Sequence, residues 1–440
     1  MLSAVEPLYT AAEMKAAEEG HDVEELMSRA GAAVAQEILA RYPEARSFSA
    51  VCGAGANGGD GRIATDLLLA AGWEEQSLGV ADVVIDALFG TGFRPPAREE
   101  AVSQIRAMNE SGRPVVAVDI PSGVDASTGE VVGEAVNASL TVTFHGRKVG
   151  HEVAPGRFHA GDVVVAGIGL THGPTEAGRV TSEVARIVPR RRPGDTKYSS
   201  GSVLVVGGSP GMTGAVCLTA EAAFRADAGY VAVAAPPEAL PVIEARLLEA
   251  VKRPLDEVWD AVERAGALAV GPGLGRERKE LVRRLLDETS LPAVVDADAL
   301  HELEPFEREA PTVLTPHSGE LSRLIGEEAD WVDAHRLEAL RRAVERFGCV
   351  VILKGEGTLV GAPGDGPLVA GGAAPLATAG TGDVLTGVVA AFLAKGMDAR
   401  LAAAAAVRVH TDAVAASGKT AGLIASDLFD GIPRVLDAQV

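Results

Sequence analysis

Residues 374–387 carry the most chemistry for their length: Ala-Pro-Leu-Ala-Thr-Ala-Gly-Thr-Gly-Asp-Val-Leu-Thr-Gly. Small residues and two glycines lead to one carboxylate, Asp383. Val384, Leu385, Val388, Val389, Phe392 and Leu393 then recur at helical spacing. The pattern predicts a helix N-terminus at residues 380–383, where unpaired N–H groups and the positive end of the dipole attract phosphate oxygens. Asp383 is either a base beside that anion or a cap on the first turn. Other loops share this composition. Residues 207–215 (Gly-Gly-Ser-Pro-Gly-Met-Thr-Gly-Ala) and 271–276 (Gly-Pro-Gly-Leu-Gly-Arg) each follow an apolar run and open a helix. Asp296-Ala297-Asp298, Thr315-Pro316-His317-Ser318-Gly319-Glu320 and Lys354-Gly355-Glu356-Gly357-Thr358 end further runs. Phosphoryl transfer needs a base on the accepting hydroxyl and fixed positive charge on the phosphoryl oxygens. Asp383 is the candidate base. Lys354 and the amides of Thr381, Gly382 and Asp383 are the candidate charges.

A second constellation lies in the first half. Residues 53–61 read Gly-Ala-Gly-Ala-Asn-Gly-Gly-Asp-Gly at a strand-to-helix turn, where a ligand phosphate can approach the backbone. Gly53, Gly55 and Gly58 fall at G-x-G-x-x-G spacing, but no predicted strand after them ends in an acidic residue at the distance a dinucleotide fingerprint needs, so the run is not read as one. The next strand runs into Asp86-Ala87-Leu88-Phe89-Gly90-Thr91-Gly92-Phe93-Arg94-Pro95-Pro96, and the following one into Asp119-Ile120-Pro121-Ser122-Gly123. The Asn57 amide, Asp86 carboxylate and Ser122 hydroxyl are hard oxygen donors suited to a cation with a large, loose shell. They equally suit plain caps on neighbouring helices.

These loops must be held by strands and helices. Apolar runs at 48–52, 83–88, 115–120, 140–144 and 163–168 alternate with helical stretches at 61–71 and 99–109, which indicates a mainly parallel sheet. Two helices precede it, with Thr10/Glu13 and Asp22/Glu25 as capping boxes. Charge, Gly and Pro scatter through residues 176–194, which reads as a linker. The pattern then restarts with strands at 203–206, 231–235, 267–270, 293–295 and 350–353 and a helical C-terminus. No repeat links the halves. At 440 residues two domains are expected, 1–175 and 195–440, each an α/β three-layer sandwich. Ligands of such sheets bind at the carboxyl ends of the strands.

Composition narrows the partners. A net charge of −21 argues against nucleic acid or an anionic membrane. Cys52, Cys217 and Cys349 lack metal or CxxC spacing and read as buried hydrophobes in a reducing compartment. No charged-then-apolar leader and no membrane-length apolar run is present, so a cytoplasmic protein is expected.

From residue 197 onward the chain resembles the ribokinase-like fold, and within it the ADP- or ATP-dependent NAD(P)H-hydrate dehydratases. The resemblance implies that Lys354, Gly355, Glu356, Gly357, Thr358, Thr381 and Gly382 hold an adenine nucleotide with magnesium. It also implies that Ala215, Gly273, His317 and Asp383 face the hydrated nicotinamide. The first half resembles the NAD(P)H-hydrate epimerase domain, which is Rossmann-like. Here Asn57, Asp86 and Ser122 would bind potassium. Ala56, Asn57, Gly58, Gly59, Asp60, Gly90, Thr91, Gly92, Phe93, Arg94, Pro95, Pro96 and Asp119 would face the substrate, with Asp119 handling the proton. Two departures stand out. Ala56 replaces the first Asn of the usual N-N-G-G-D-G, and the interval after Gly61 is shorter by about one βα unit. The whole reads as a bifunctional repair enzyme for NADHX and NADPHX with ADP as the expected donor, and relatives of this kind commonly form homo-oligomers. Two readings stay open: a non-catalytic first half that binds or oligomerises, and a small-alcohol kinase of the same fold.

Overall fold

The computed structural model of the chain describes residues 4–438. By their contacts, residues 7–178 with 333–335 form one compact unit, and 4–6, 179–332 and 336–438 form the other. No helix among the described residues is long and apolar enough to cross a membrane.

In the N-terminal unit six strands lie in the order Glu74–Glu75, Ser47–Cys52, Val83–Ala87, Val115–Val118, Leu140–Phe144, Asp162–Ala166. Every pairing is parallel. The three central strands are buried along their whole length, as a sheet covered on both faces requires. On one face, Val34 and Ile38 of helix Val23–Arg41 and Leu68 of helix Ala56–Ala70 pack against Val83, Ile85, Val116 and Val142. On the other, Ile105 and Met108 of helix Glu99–Glu110 pack on Val84 and Val115. Thr10 and Glu13 form a complete capping box. Asp22 caps the Glu24 and Glu25 amides, while the Glu25 side chain pairs with Arg29 instead of closing a box.

The glycine segment departs from a plain loop. Helix Ala56–Ala70 already starts behind Gly55, so Ala56 to Gly61 form its first turns. A Cβ at Gly58 would stand 1.9 Å from the Gly53 carbonyl, so only glycine lets the chain fold back this tightly. The shortening after it is also less complete than a whole βα unit. Glu74 and Glu75 still pair with Ser47 and Phe48 as a two-residue edge strand, and the next segment runs through turns to Val83 with no helix of its own. Two exposed glutamates give no apolar run, so periodicity could not find this strand.

The C-terminal unit is built on a longer sheet, ordered Asp365–Gly371, Thr358–Ala362, Val350–Leu353, Thr312–Leu314, Ala293–Val295, Ala267–Val270, Ser202–Val206, Tyr230–Ala235, Val251–Pro254; Ala177–Val180 and Val5–Leu8 continue the order beyond Asp365–Gly371. From Val350–Leu353 to Val251–Pro254 the pairs are parallel. Thr358–Ala362 and Asp365–Gly371 add an antiparallel hairpin, so Thr358 opens a strand rather than closing a loop. Helix Thr381–Ala394 is buried on nearly all sides, the state expected of a helix apolar all round. It crosses helix Thr213–Arg225 where a Cβ at Gly387 would meet the Thr219 carbonyl at 2.2 Å. Residues 176–194 are no open tether. They contain strand Ala177–Val180 and a 3-10 segment Ser182–Ile187, with Val180, Val184, Ala185 and Val188 buried in the core. Scattered Arg and Gly masked those four apolar anchors.

Candidate active sites

The parallel strands of the C-terminal unit put their carboxyl ends on one edge. There the backbone ladder runs on past the strands: Gly271 N–H donates to Val206 at 3.0 Å, Asp296 N–H to Val270 at 3.0 Å, and Thr315 N–H to Val295 at 3.1 Å. Lys354 N–H reaches the Pro316 carbonyl at 2.9 Å. The loops singled out by composition are thus neighbours.

Their side chains form one charged cluster. Lys354 Nζ lies 2.9 Å from Asp296 Oδ1 and 3.8 Å from Glu320 Oε2. The other Asp296 oxygen accepts from the Thr386 hydroxyl at 2.7 Å. Burial works to raise the Asp296 pKa, but Lys354, Thr386 and Thr315 together hold it below the usual carboxylate range. Burial likewise works against the Lys354 charge, and Asp296, Glu320 and Asp383 outweigh it, so the ammonium persists. A Cβ at Gly382 would stand 3.4 Å from Lys354 Nζ, so the ammonium faces the first turn of helix Thr381–Ala394. Gly380 caps that helix in the left-handed region, with φ of 89°. Asp383, on the same turn, is pushed up to about 7 by burial first and by Asp296 next, with Lys354 opposing. A base poised near neutrality, an ammonium and a helix N-terminus converge.

The remaining expected residues lie around this centre. Ala215 and Gly273 are adjacent: a Cβ on Gly273 would be 3.3 Å from that of Ala215. One turn beyond Ala215, the Thr219 hydroxyl donates to the Asp383 carbonyl at 3.1 Å. Thr358 donates to the Gly355 carbonyl at 2.7 Å, and Arg336 donates to the Leu353 and Lys354 carbonyls, fixing the Lys354 turn from behind. His317 is the N-cap of helix Ser318–Ile325, with Nδ1 accepting from the Gly319 amide at 3.0 Å and Glu320 closing the box. Its ring is exposed, with Nε2 3.6 Å from Glu320. Sequence reasoning missed His410. Buried in helix Ala399–Ser417, it bonds to the Thr381 backbone, and burial pushes it down to about 4. A histidine inside a long alanine-rich helix carries no motif.

In the N-terminal unit the three expected cation ligands are linked in a chain, Asn57 to Ser122 through Phe89 and Ser122 to Asp86 directly. Asn57 Nδ2 donates to the Phe89 carbonyl at 2.9 Å, and Phe89 N–H donates to Ser122 Oγ at 2.9 Å. Ser122 gives its hydroxyl to Asp86 Oδ1 at 2.6 Å and its amide to Oδ2 at 2.8 Å. Asp86 is fully buried, and burial pushes it up to about 6 against these bonds. Its hydrogen-bond partners include no basic side chain. A buried carboxylate with no basic hydrogen-bond partner, bonded to a hydroxyl, is a donor pair that suits a monovalent cation, with Asn57 held nearby through the Phe89 carbonyl. Residues 90–96 extend from this knot as a partly exposed arm, where the Phe93 ring stacks on Phe89 at 4.7 Å and Arg94 lies 4.0 Å from Asp125.

Asp119 sits three residues before Ser122, in the left-handed region at φ 66°, a strained conformation for a non-glycine residue. Its Oδ1 is 2.6 Å from Lys148 Nζ and accepts from the Thr143 hydroxyl at 3.0 Å. Lys148 is wholly buried and also donates to Thr143 and the Phe144 carbonyl. His151 Nε2 bonds to the Asp119 carbonyl at 2.9 Å. Burial works to raise the Asp119 pKa, but Lys148, His151 and Thr143 hold it below the usual range. Asp60, on the first helical turns, is the reverse case. Burial, then Asp119 and Glu18, push it up to about 8. Lys148, His151 and Glu18 escaped the sequence reading because no short motif joins them to Asp119.

A covered, mainly parallel sheet whose strand ends gather a helix N-terminus, a lysine and aspartates is shared with ribokinase-like proteins. A ribokinase-like superfamily protein of Enterococcus faecalis shares the fold at TM-score 0.55 and 22% identity, over 61% of this chain and 99% of that one. The ADP/ATP-dependent NAD(P)H-hydrate dehydratase of Bacillus subtilis, co-crystallised with ATP and Mg2+, is 29% identical at TM-score 0.54, over 59% of this chain and 98% of its own. Residues 203–434 match the NAD(P)H-hydrate dehydratase family, and residues 23–78 and 73–150 match the YjeF-related protein N-terminus. The bifunctional NAD(P)H-hydrate repair enzyme Nnr of Coxiella burnetii is 35% identical over 96% of this chain and 97% of its own length. That of Escherichia coli is 34% identical over 94% and 90%. The chain belongs to the bifunctional NAD(P)H-hydrate repair enzyme family, and the small-alcohol kinase reading falls away.

Proposed function

We propose that this chain repairs hydrated NADH and NADPH in two steps. Residues 1–175 interconvert the R and S hydrates, and residues 195–440 dehydrate the S form with ADP as phosphoryl donor. The carrying observation is Asp383, held near half-ionisation at neutral pH beside the Lys354 ammonium on a helix N-terminus. Asp383 takes the proton of the hydrate's hydroxyl as that oxygen bonds to the terminal phosphorus and the bond to the departing AMP breaks. Lys354 and the first-turn amides balance the charge on the phosphoryl oxygens. The ring nitrogen's electron pair then expels the phosphate as a C=N bond forms, and loss of a proton from the adjacent ring carbon restores the dihydropyridine. Lys354 to Thr358 and Gly382 are assigned to the nucleotide, and Ala215, Gly273 and His317 to the substrate. Asp296, Glu320 and Asp383 outnumber the single ammonium, and that surplus fits magnesium arriving with the nucleotide, where it neutralises phosphate charge.

In the N-terminal unit Asn57, Asp86 and Ser122 are assigned to potassium, which would offset the buried Asp86 charge and stiffen the turn at Phe89. Residues 56–60, 90–96 and Asp119 are assigned to the hydrate. The protein is expected to act in the cytoplasm as a homo-oligomer, which light scattering tests. The function is tested by mixing protein, hydrated NADH and either nucleotide. Return of the reduced-nicotinamide absorbance with AMP formed from ADP supports the reading, the same return only with ATP, forming ADP, overturns the choice of donor, and a stable phosphorylated product refutes the dehydratase.

A further inference from the structure

Two carboxylates in the N-terminal unit are buried in the same electrostatic neighbourhood and are satisfied in opposite ways. Asp119 accepts from Lys148 and Thr143, so its charge is matched in place. Asp60 is 92% buried, and its Oδ1 has no hydrogen-bond partner. The charges acting on it come from Asp119 and Glu18, both negative. It is anchored on the first turns of helix Ala56–Ala70, one helical turn from Asn57, where its position is set by backbone rather than by a flexible loop. A buried carboxyl with a bare oxygen and only negative neighbours is stable as the neutral acid.

We infer that Asp60 is the proton donor of the epimerisation and that Asp119, charged by Lys148, stabilises the cationic ring it creates. This rests on the epimerase reading of the N-terminal unit and assigns its chemistry. Asp60 gives its proton to the hydroxyl as the C–O bond breaks with its electron pair, so the group leaves as water. The ring nitrogen's lone pair closes a C=N bond, and the positive charge faces the Asp119 carboxylate. Water adds to the other face of the same carbon, the C=N pair returns to nitrogen, and the proton released restores the acid. No redox partner is needed. Paired carboxylates pushed to opposite protonation states are the usual division between acid and charge stabiliser.

The facing groups set the pH response. Asp119 and Glu18 act on Asp60, and Lys148, His151 and Thr143 act on Asp119. Epimerisation should fall on the alkaline side as Asp60 ionises, around pH 8. Asp60→Asn in the full chain should cost ~10²- to 10⁴-fold in kcat, change KM less than about threefold, and abolish that alkaline limb. Circular dichroism and a thermal unfolding profile matching wild type report that the N-terminal unit of the variant has folded, and unchanged ADP-dependent dehydration of pure S hydrate reports the same of the C-terminal unit. An epimerisation rate within threefold of wild type, with Asp119→Ala inactive, overturns the donor assignment and leaves the epimerase reading standing. A wild-type rate equal to buffer overturns both. As a readout independent of turnover, carboxyl carbon NMR of the wild type against Asp60→Asn should identify a carboxyl still protonated at pH 7; its absence overturns the inference.

Discussion

Replacing Asp383 with Asn keeps the shape of the side chain and removes its proton chemistry, so turnover and stability should move in opposite directions. Dehydration should fall ~10²- to 10⁴-fold, with nucleotide binding nearly intact. In the wild type, with the carboxyl at about 7, the base form should rise from ~10% at pH 6 to ~90% at pH 8, giving an acid limb in kcat/KM that the variant lacks. The stability effect follows from the same shift. A carboxyl raised from 3.8 to about 7 stabilises the fold only as the neutral acid. That contribution is complete below the unfolded value and is lost as pH rises through about 7. At 1.36 kcal/mol per unit, ionisation costs the native state at most ~4 kcal/mol. The group is half-buried, so solvent access reduces this to ~2 kcal/mol. The difference builds up between the unfolded value of 3.8 and about 7, so Asp383→Asn should melt only ~1–3 °C above wild type at pH 5 and ~4–8 °C above it at pH 9. Calorimetry at the two pH values, with dehydration followed by absorbance, covers both arms. A variant keeping more than half of wild-type turnover, or one with the same melting difference at both pH values, would falsify the reasoning.

Lys354→Ala should weaken ADP binding by removing the ammonium, and Gly382→Val should do so by crowding Lys354 Nζ, which lies 3.4 Å from the first added carbon; unchanged calorimetric affinity in both would remove the nucleotide from this turn. Lys148→Met leaves Asp119 buried without its cation, so it should lose ~3–5 kcal/mol of stability near neutral pH, less below the Asp119 pKa, and epimerise negligibly. Potassium, compared with a bulky organic cation at equal ionic strength, should raise the melting temperature of the wild type and not of Asp86→Asn; equal responses would empty the proposed site. Epimerisation by the wild type, measured against a relative with the full interval after Gly61, should be reduced, because only two residues remain of the edge strand that walls the glycine turn.

What the sequence determined by itself was the alternation of apolar runs with glycine turns, and with it the sheets, their parallel sense and the strand ends that bear the polar residues. These are local facts: burial on both faces demands continuous apolar strands, and a helix start demands its cap. The gathering of Lys354, Glu320, Asp296 and Asp383 follows once those ends share an edge. Other features only the tertiary structure decided. Lys148 meets Asp119 across 29 positions, and His410 meets Thr381 from a separate helix, because packing brings them there and no motif spans such distances. The hairpin Thr358–Ala362/Asp365–Gly371 and the stub Glu74–Glu75 are strands by pairing rather than by pattern. The protonation states of Asp60, Asp119 and Asp383 were equally beyond the sequence. Three aspartates of the same type differ only in what surrounds them, and burial and neighbouring charge exist only after the chain has folded.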